Sequence, residues 1–353
     1  MLIINHAEAH ATGMCALAMA GVPETHARTQ MDLLIEAELS DRPSHGLLRL
    51  PRIIQRIRNG VTDPVTTGSA EWRSAAFLRV DGRAGLGPVV AGAALAAVSA
   101  RARETGIAVA AIANNNHLGM LAWYVERVAQ GGQTAIALST SEALVHPWGG
   151  RKAMLGTNPI AIGVPADPYP FVLDMATSIV SMGKIHDHAH RGEAIPENWA
   201  LDPHGEPTTN PHHAKLGAIA PFGGAKGYAL GLALEVLVTS LTGAALGTEV
   251  KGTLDSEHPC NKGDVFIVID PLSGPVTASI SSYLDAIRTC PASQPDRPVM
   301  VPGDGSRRRR AERVASGIRV ADEVWREICA LARLSKDPLA PADATGDAGR
   351  RPV

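Results

Sequence analysis

The chain has 353 residues, 45% of them hydrophobic, and its 33 Lys and Arg against 35 Asp and Glu leave a net charge of −2. That length and apolar share require a globular core and exclude fibrous, disordered and short disulfide-stapled classes; near-zero charge leaves no field to hold a nucleic acid or an acidic membrane. Aromatics are only 4% against 35 Gly and 25 Pro, so Ala, Val, Leu and Ile must build the core around many tight turns.

Residues 5–40 predict two helices, the second over 24–39 after Val22-Pro23, with Met31, Leu34, Ile35 and Glu38 at helical spacing. Residues 44–58 predict a further amphipathic helix, with Leu47, Leu50, Ile54 and Ile57 on one face and Arg49, Arg52 and Arg56 interleaved. From about Leu78 the texture changes to strand and helix by turns. A glycine-rich loop (DGRAGLG, 81–87) precedes a helix over 89–101, a strand over 106–113, a helix over 118–129 and a strand over 134–139. Residues 158–165 and 171–174 predict paired strands joined by Ala166-Asp167-Pro168. A polar, Pro-rich connection over 186–211 leads to a long helix opening at Lys226-Gly227, and 264–270 (DVFIVID) is the most strand-like run in the chain. Helical composition returns after Pro302, and 337–353 predict a disordered tail.

Several absences narrow the reading. The four cysteines include no CxxC pair, which points to a reducing compartment. The N-terminal stretch has no basic segment before an apolar run, so no secretory signal is predicted. The longest apolar run, 229–246, is interrupted by Glu235, Thr239, Ser240 and Thr242 and reads as a buried helix instead of a membrane span. Together these predict a cytoplasmic protein with neither a membrane nor a nucleic acid as partner. There is also no GxGxxG after a strand, no P-loop and no GxSxG elbow.

Two segments are candidates for chemistry. In Ser44-His45-Gly46 with Arg49, one helical turn places an imidazole and a guanidinium on one face, where Arg49 can grip a carboxylate in a fork while His45 or Ser44 bonds a neighbouring oxygen. The plainer alternative is an N-cap by Ser44 with solvated neighbours. The run 114–119 (NNNHLG) follows a strand and precedes a helix, and His117 there can shuttle a proton near neutral pH or simply cap the helix. His186, His188 and His190 alternate and on a strand would share a face fit for a metal, yet their polar connecting context predicts a solvated segment and no metal site. Arg307, Arg308, Arg309 and Arg310 can clamp a phosphate or begin a solvated helix.

Nine fragments occur in order over roughly residues 10–330: SHGLLRLPR (44–52), DGRAGLG (81–87), NNNHLG (114–119), HPWGGRKAMLGTNPIAIGVPA (146–166), VLDMATS (172–178), GKI with RGEAIPENWALDPHGEPTT (183–209), PFGGAKGYALGLALEVL (221–237), CNKGDVFIVIDP (260–271) and VPGD (301–304). This ordered set resembles the type-2 malate/L-lactate dehydrogenase family. The resemblance implies an NAD(P)-dependent oxidoreductase that interconverts a small 2-oxo acid and a 2-hydroxy acid, or alternatively reduces a cyclic imino acid such as Δ1-piperideine- or Δ1-pyrroline-2-carboxylate. It also implies an α/β fold unrelated to Rossmann, with a mainly antiparallel central sheet and a helical domain formed by both chain ends (1–75 with 302–336) around a cofactor and substrate domain (76–301), in a homodimer.

Carried over by position, His45 and His117 fall on the proton donor or acceptor positions, and Ser44 and Arg49 on substrate-binding positions. Ser141, Asp174, Met175, Ala176, Lys226, Gly303, Asp304 and Gly305 fall on cofactor contacts. The arginine run at 307–310, set to meet a 2′-phosphate, tilts the expected cofactor toward NADPH over NADH. The chain departs from the family pattern where Ile53 replaces a frequent tyrosine, where Asp304 follows Pro302-Gly303 in place of glutamate, and in the His186/His188/His190 set. These departures bear on substrate identity more than on reaction class.

Overall fold

A computed structural model describes residues 1–271 and 276–333; the tail expected over 337–353 lies outside the described residues. The chain opens with a short strand, β1 (Leu2–Ile4), then α1 (His6–Met19), whose N-cap Asn5 side chain accepts from Ala7 N–H, and α2 (Glu24–Leu39). After two single 3-10 turns comes α3 (Leu50–Arg58). The expected single helix over 44–58 is thus corrected: Gly46 takes an extended conformation and Pro51 sits in the first turn of α3, so regular hydrogen bonding begins only at Leu50.

The central layer follows: β2 (Ser69–Ser74), β3 (Phe77–Asp81), α4 (Gly87–Thr105), β4 (Ile107–Ala113), α5 (Ala122–Gln130), β5 (Thr134–Ser139), β6 (Ile160–Val164) and β7 (Phe171–Met175). α4 carries Pro88 in its first turn and ends on Gly106 at φ 79°, a left-handed closure that glycine adopts without strain. α5 begins four residues later than the sequence predicts, because 118–121 run as a non-helical entry pinned by the Tyr124 hydroxyl donating to the Leu118 carbonyl. The paired strands predicted over 158–165 and 171–174 are β6 and β7, in antiparallel register.

Next come α6 (Met182–Arg191), β8 (Ala200–Leu201), α7 (Pro211–Ala214), β9 (Ala218–Ile219), α8 (Ala225–Thr242), β10 (Asp264–Ile269), α9 (Thr277–Arg288), α10 (Asp304–Ser316), β11 (Ile318–Val320) and α11 (Asp322–Leu331). The polar stretch expected as a plain connection over 186–211 therefore begins inside a helix. Ser181 caps α6 by accepting from Lys184 N–H, and the histidines ride on that helix instead of alternating along a strand.

Seven strands pair in the order β2-β3-β4-β10-β5-β6-β7, and only β3 with β4 is parallel, so the sheet is mainly antiparallel. β10 lies at its middle, between β4 and β5, which explains why DVFIVI is so apolar: Val265, Phe266 and Val268 are wholly buried. α4 and α5 cover one face through Val90, Val98, Tyr124 and Val125, and α8 covers the other through Leu234 and Val238. β1 pairs with β11, and helices from both ends of the chain share a second core around Leu17, Met31, Leu34, Leu50, Trp325 and Ile328. No helix among the described residues is long and apolar enough to cross a membrane. Glu235, the polar break in α8, turns inward: it is 3% exposed and accepts from Gly156 N–H, Asn158 Nδ2 and Gly247 N–H, tying two loops to the helix.

Candidate functional site

The two candidate histidines meet. His45 stands on the first 3-10 turn and His117 on the loop after β4, and their rings stack with centroids 5.3 Å apart and planes 11° from parallel. A face-to-face stack lets neither ring nitrogen donate to the other, so the pair forms no internal relay. Gly119 N–H donates to His117 Nδ1 at 3.0 Å, which puts the proton of the neutral ring on Nε2. His45 Nδ1 is buried without a partner.

Desolvation, reinforced by the Arg49 and Arg42 guanidiniums, lowers the His45 pKa to about 3. Desolvation, then Arg49, His45 and Lys262, hold His117 well below its ordinary value too. Both rings are therefore neutral near pH 7 in the free protein, and an anion placed beside them would raise both.

Arg49 approaches by a route other than the helix face that the sequence predicts. Its Nε donates to the Ser44 carbonyl at 2.7 Å and its Nη1 to the Thr253 carbonyl at 3.4 Å, leaving Nη2 without a partner among the described residues. Glu38 fixes the turn between them: buried to 2% exposure, it accepts Leu47 N–H at 2.7 Å, and a Cβ at Gly46 would stand 2.2 Å from its Oε1. That contact requires glycine in SHG. Gly87 serves similarly in the 81–87 loop, since a Cβ there would lie 2.2 Å from the His117 carbonyl oxygen.

Of these groups Arg49, Gly87 and His117 line a cleft of about 30 Å³, together with Arg52, Ile53, Arg56, Asn116, Gly252 and Thr253. Thr253 and Leu254 are pinned by their N–H groups to Glu142 Oε1 at 2.7 and 2.9 Å.

A larger cavity of about 430 Å³ lies beside α5 and the start of α10. Arg42, Asp174, Gly303, Gly305, Ser306 and Arg307 are among its lining. Asp174 is stripped of solvent, which raises its pKa, and its Oδ2 accepts Ala122 N–H at 2.9 Å at the start of α5. Asp304 accepts from Arg288 Nε at 2.9 Å, Arg307 Nη2 at 2.7 Å and Val301 N–H at 3.0 Å, and the first of these partners holds its pKa far below the carboxylate range.

A family model described as malate/L-lactate dehydrogenase matches residues 4–329. The chain belongs to the malate/L-lactate dehydrogenase family. It is 36% identical over 318 residues to an L-sulfolactate dehydrogenase of Methanothermobacter thermautotrophicus (88% of this chain, 91% of the relative). It is also 33% identical over 334 residues to a Δ1-pyrroline-2-carboxylate reductase of Ancylobacter novellus (93% and 97%). Among solved structures, a dehydrogenase from Sinorhizobium meliloti superposes with a TM-score of 0.91 at 51% identity, covering 94% of this chain and 98% of that one. The protein is thus an oxidoreductase of the malate/L-lactate dehydrogenase type, and its mixed α/β sheet is the fold that the ordered motifs imply.

Within this malate/L-lactate dehydrogenase fold, the predicted residues fall into three groups. Arg49 and His117 line the cleft, His45 stacks on His117 behind it, and the Ser44 carbonyl holds Arg49 Nε. Asp174, Gly303 and Gly305 line the larger cavity, while the Asp304 carboxylate is engaged by two arginines. Ser141, Met175, Ala176 and Lys226 line neither. Ser141 Oγ accepts Thr157 N–H at 3.0 Å, Thr157 O takes Thr177 N–H at 2.8 Å and Thr177 O takes Phe222 N–H at 3.0 Å, so these segments form a neighbourhood of their own at the start of α8, where Lys226 is exposed.

Sequence reasoning missed the groups that buttress His117. Arg56, 5% exposed, donates through Nε and Nη2 to Asn116 Oδ1 at 3.1 and 2.9 Å, and Asn116 Nδ2 donates to the carbonyls of Ala84 and Gly85. Lys262 and Asp264 form a buried ion pair, 2% and 0% exposed; Asp264 also accepts from Ser139 Oγ at 2.6 Å and Asn115 Nδ2 at 3.3 Å. The available signal was the KGD triplet opening the most strand-like run. No cluster of His, Cys, Asp or Glu fit for a metal occurs among the described residues.

Proposed function

We propose that the protein reduces a small 2-oxo acid to a 2-hydroxy acid with NAD(P)H, and runs the reverse, with the cleft at His45, His117 and Arg49 as its active site. The observation that carries this reading is the stacked histidine pair lying beside a guanidinium with an open Nη2. Arg49 binds the substrate carboxylate, helped by Ser44, and orients the carbonyl toward the rings. His117 Nε2–H donates a hydrogen bond to the carbonyl oxygen and polarises it. Because Gly119 N–H occupies His117 Nδ1, the proton that ends on the hydroxyl is best carried by His45, which gains it as the bound anion raises its pKa.

The larger cavity supports NAD(P)H binding by its size, within the range of ligand pockets, and by its donors: the Arg42 guanidinium, the Ser306 hydroxyl and the backbone at the start of α10. When bound, the cofactor supplies the hydride for C2. Asp174, Gly303 and Gly305 would hold it along that cavity, with Ser141, Met175, Ala176 and Lys226 contacting its further parts. The tilt toward NADPH rests on Arg42, which has no side-chain partner among the described residues, more than on the arginine run.

A second reading, reduction of a cyclic imino acid, is favoured by the similarity to a Δ1-pyrroline-2-carboxylate reductase. Loss of nicotinamide absorbance with a panel of 2-oxo acids and cyclic imines, using NADH and NADPH in turn, separates the two; no turnover with any pair rejects both. As part of the same proposal, the protein acts in the cytoplasm, in keeping with four free cysteines, as a homodimer joined through α8. Leu230, Leu232, Val236 and Leu237 on that helix are exposed. Val236→Asp is expected to yield a monomer in sedimentation.

A further inference from the structure

We infer that Arg52 reads a second negative charge on the substrate, so that the cleft selects 2-oxo acids carrying an anionic group at each end over monoanionic ones. This rests on the active-site reading above and deepens it.

Three guanidiniums face the cleft, from Arg49, Arg52 and Arg56, and no carboxylate lines it. Their engagements differ. Arg56 is saturated by Asn116 Oδ1 and by the Asp255 carbonyl, which takes its Nη1 at 2.8 Å. Arg49 keeps one nitrogen open, enough for one carboxylate. Arg52 makes no hydrogen bond or ion pair with any described residue, although it borders the same cleft from one turn further along.

Glu142 and Asp255 act on Arg49 and Arg56 through their charge, but neither forms an ion pair or hydrogen bond with Arg52. Glu142 Oε1 is taken by Thr253 N–H, Thr253 Oγ1 and Leu254 N–H, and Asp255 Oδ1 by the N–H groups of Glu257 and His258. α6 lies beyond Ser44, and its one carboxylate, Asp187, is paired with Arg191. α6 packs against Ser44 closely enough that a Cβ at Gly183 would stand 2.9 Å from Ser44 Cβ, and it brings His186 within electrostatic reach of Arg52.

The like charge of Arg52 also lowers the Arg49 pKa, after desolvation, to about 10, so the two cations repel until an anion comes between them. A monocarboxylate answers Arg49 and leaves Arg52 unpaired. A substrate with a distal carboxylate or sulfonate answers both. Ile53 supplies the apolar wall between them and has no hydroxyl to bond the distal group, which leaves that task to a charge. A cyclic imino acid, with one carboxylate and an apolar ring, would place hydrocarbon against Arg52.

The test uses the full chain with NADPH and NADH, comparing oxaloacetate and sulfopyruvate with pyruvate and Δ1-pyrroline-2-carboxylate in wild type, Arg52→Met and Arg52→Lys. The expected result is a kcat/KM ratio of oxaloacetate over pyruvate well above one, falling by about 10- to 100-fold in Arg52→Met, chiefly through KM, and partly restored by lysine. A wild-type preference for pyruvate or the cyclic imine, or a ratio untouched by Arg52→Met, overturns the inference. Calorimetric binding of malate and lactate in the presence of NADP+ to the same variants supplies a readout without turnover. Tighter malate binding that depends on Arg52, in a protein that reduces nothing, supports this inference while rejecting the proposed reaction; equal binding of both acids rejects the inference whatever the turnover.

Discussion

The cleft and the larger cavity are both rich in arginine, and the fold engages most of the cavity's guanidiniums, Arg42 apart, while in the cleft it engages Arg56 alone at every nitrogen. Around the cavity Arg307 is held by Asp304 and the Pro170 carbonyl, Arg309 reaches the Ser40 carbonyl and Arg310 lies on both oxygens of Glu36. In the cleft Arg49 keeps an open nitrogen and Arg52 has no hydrogen-bond or ion-pair partner among the described residues, beside two histidines held neutral by burial. A guanidinium that the fold already neutralises serves stability, and one left unpaired is available to a ligand. Composition alone cannot separate the two, since both read as arginine runs.

The largest effects should come from the cleft. His45→Gln and His117→Gln are each expected to lower kcat/KM for 2-oxo acid reduction by about 10²- to 10⁴-fold while circular dichroism stays native, because under the proposed mechanism each removes a group that meets the reacting oxygen. Arg49→Met should raise KM by a comparable factor. Retention of full activity in either histidine variant would remove that ring from the mechanism.

Next in size is the pH dependence. With His45 at about 3, far below its ordinary 6.5, the protonated form needed for reduction is scarce at every neutral pH. The kcat/KM for reduction should fall about tenfold per pH unit between 6 and 8 with no break near 6.5, and oxidation should show the opposite trend up to its plateau. The same shift has a sign for stability. The folded state binds fewer protons than the unfolded one between about 3 and 6.5, so the contribution of His45 is complete above 6.5 and lost as the pH falls through that window. Glu38, raised by desolvation to about 7, acts the other way and favours the fold at low pH. Thermal melts of His45→Gln against wild type across pH 4 to 8 isolate the first effect.

On the cavity side a stability loss is expected instead. Asp304→Ala leaves Arg288 and Arg307 without their shared carboxylate and frees the start of α10, at a cost of about 1–3 kcal/mol, seen as a fall of a few degrees in Tm. A change confined to cofactor KM, with Tm unaltered, would mean that Asp304 serves the ligand and not the fold.

Short motifs, SHGLLR and NNNHLG, pointed to His45, Arg49 and His117, which the fold brings together, but gave no sign of the groups that support them. The helix expected over 44–58 failed at Gly46 and Pro51, whose backbone preferences outweigh a good apolar period. The alternation of His186, His188 and His190 suggested a strand face only because Ser181, their helix cap, precedes the polar run. Arg56 on Asn116, Asn115 on Asp264 and Glu142 on Thr253 join segments 60, 149 and 111 residues apart, and no window along the chain holds both partners. Glu38 was assigned to an apolar face, with no sign that its carboxylate would fasten the SHG turn.

The smallest effect tests the comparison most finely. If Arg310 is spent on the fold, Arg310→Gln should change the NADPH-to-NADH preference by less than about threefold, since Glu36 and not a phosphate is its partner. Arg42→Gln should shift the preference by about tenfold toward NADH, because that guanidinium borders the cavity with no hydrogen-bond or ion-pair partner among the described residues. Fluorescence titration of both dinucleotides against the two variants reads this directly. A larger loss of NADPH affinity in Arg310→Gln than in Arg42→Gln would show that ligand binding breaks the Glu36 pair, and that the engagement of an arginine in the free protein does not mark it as structural.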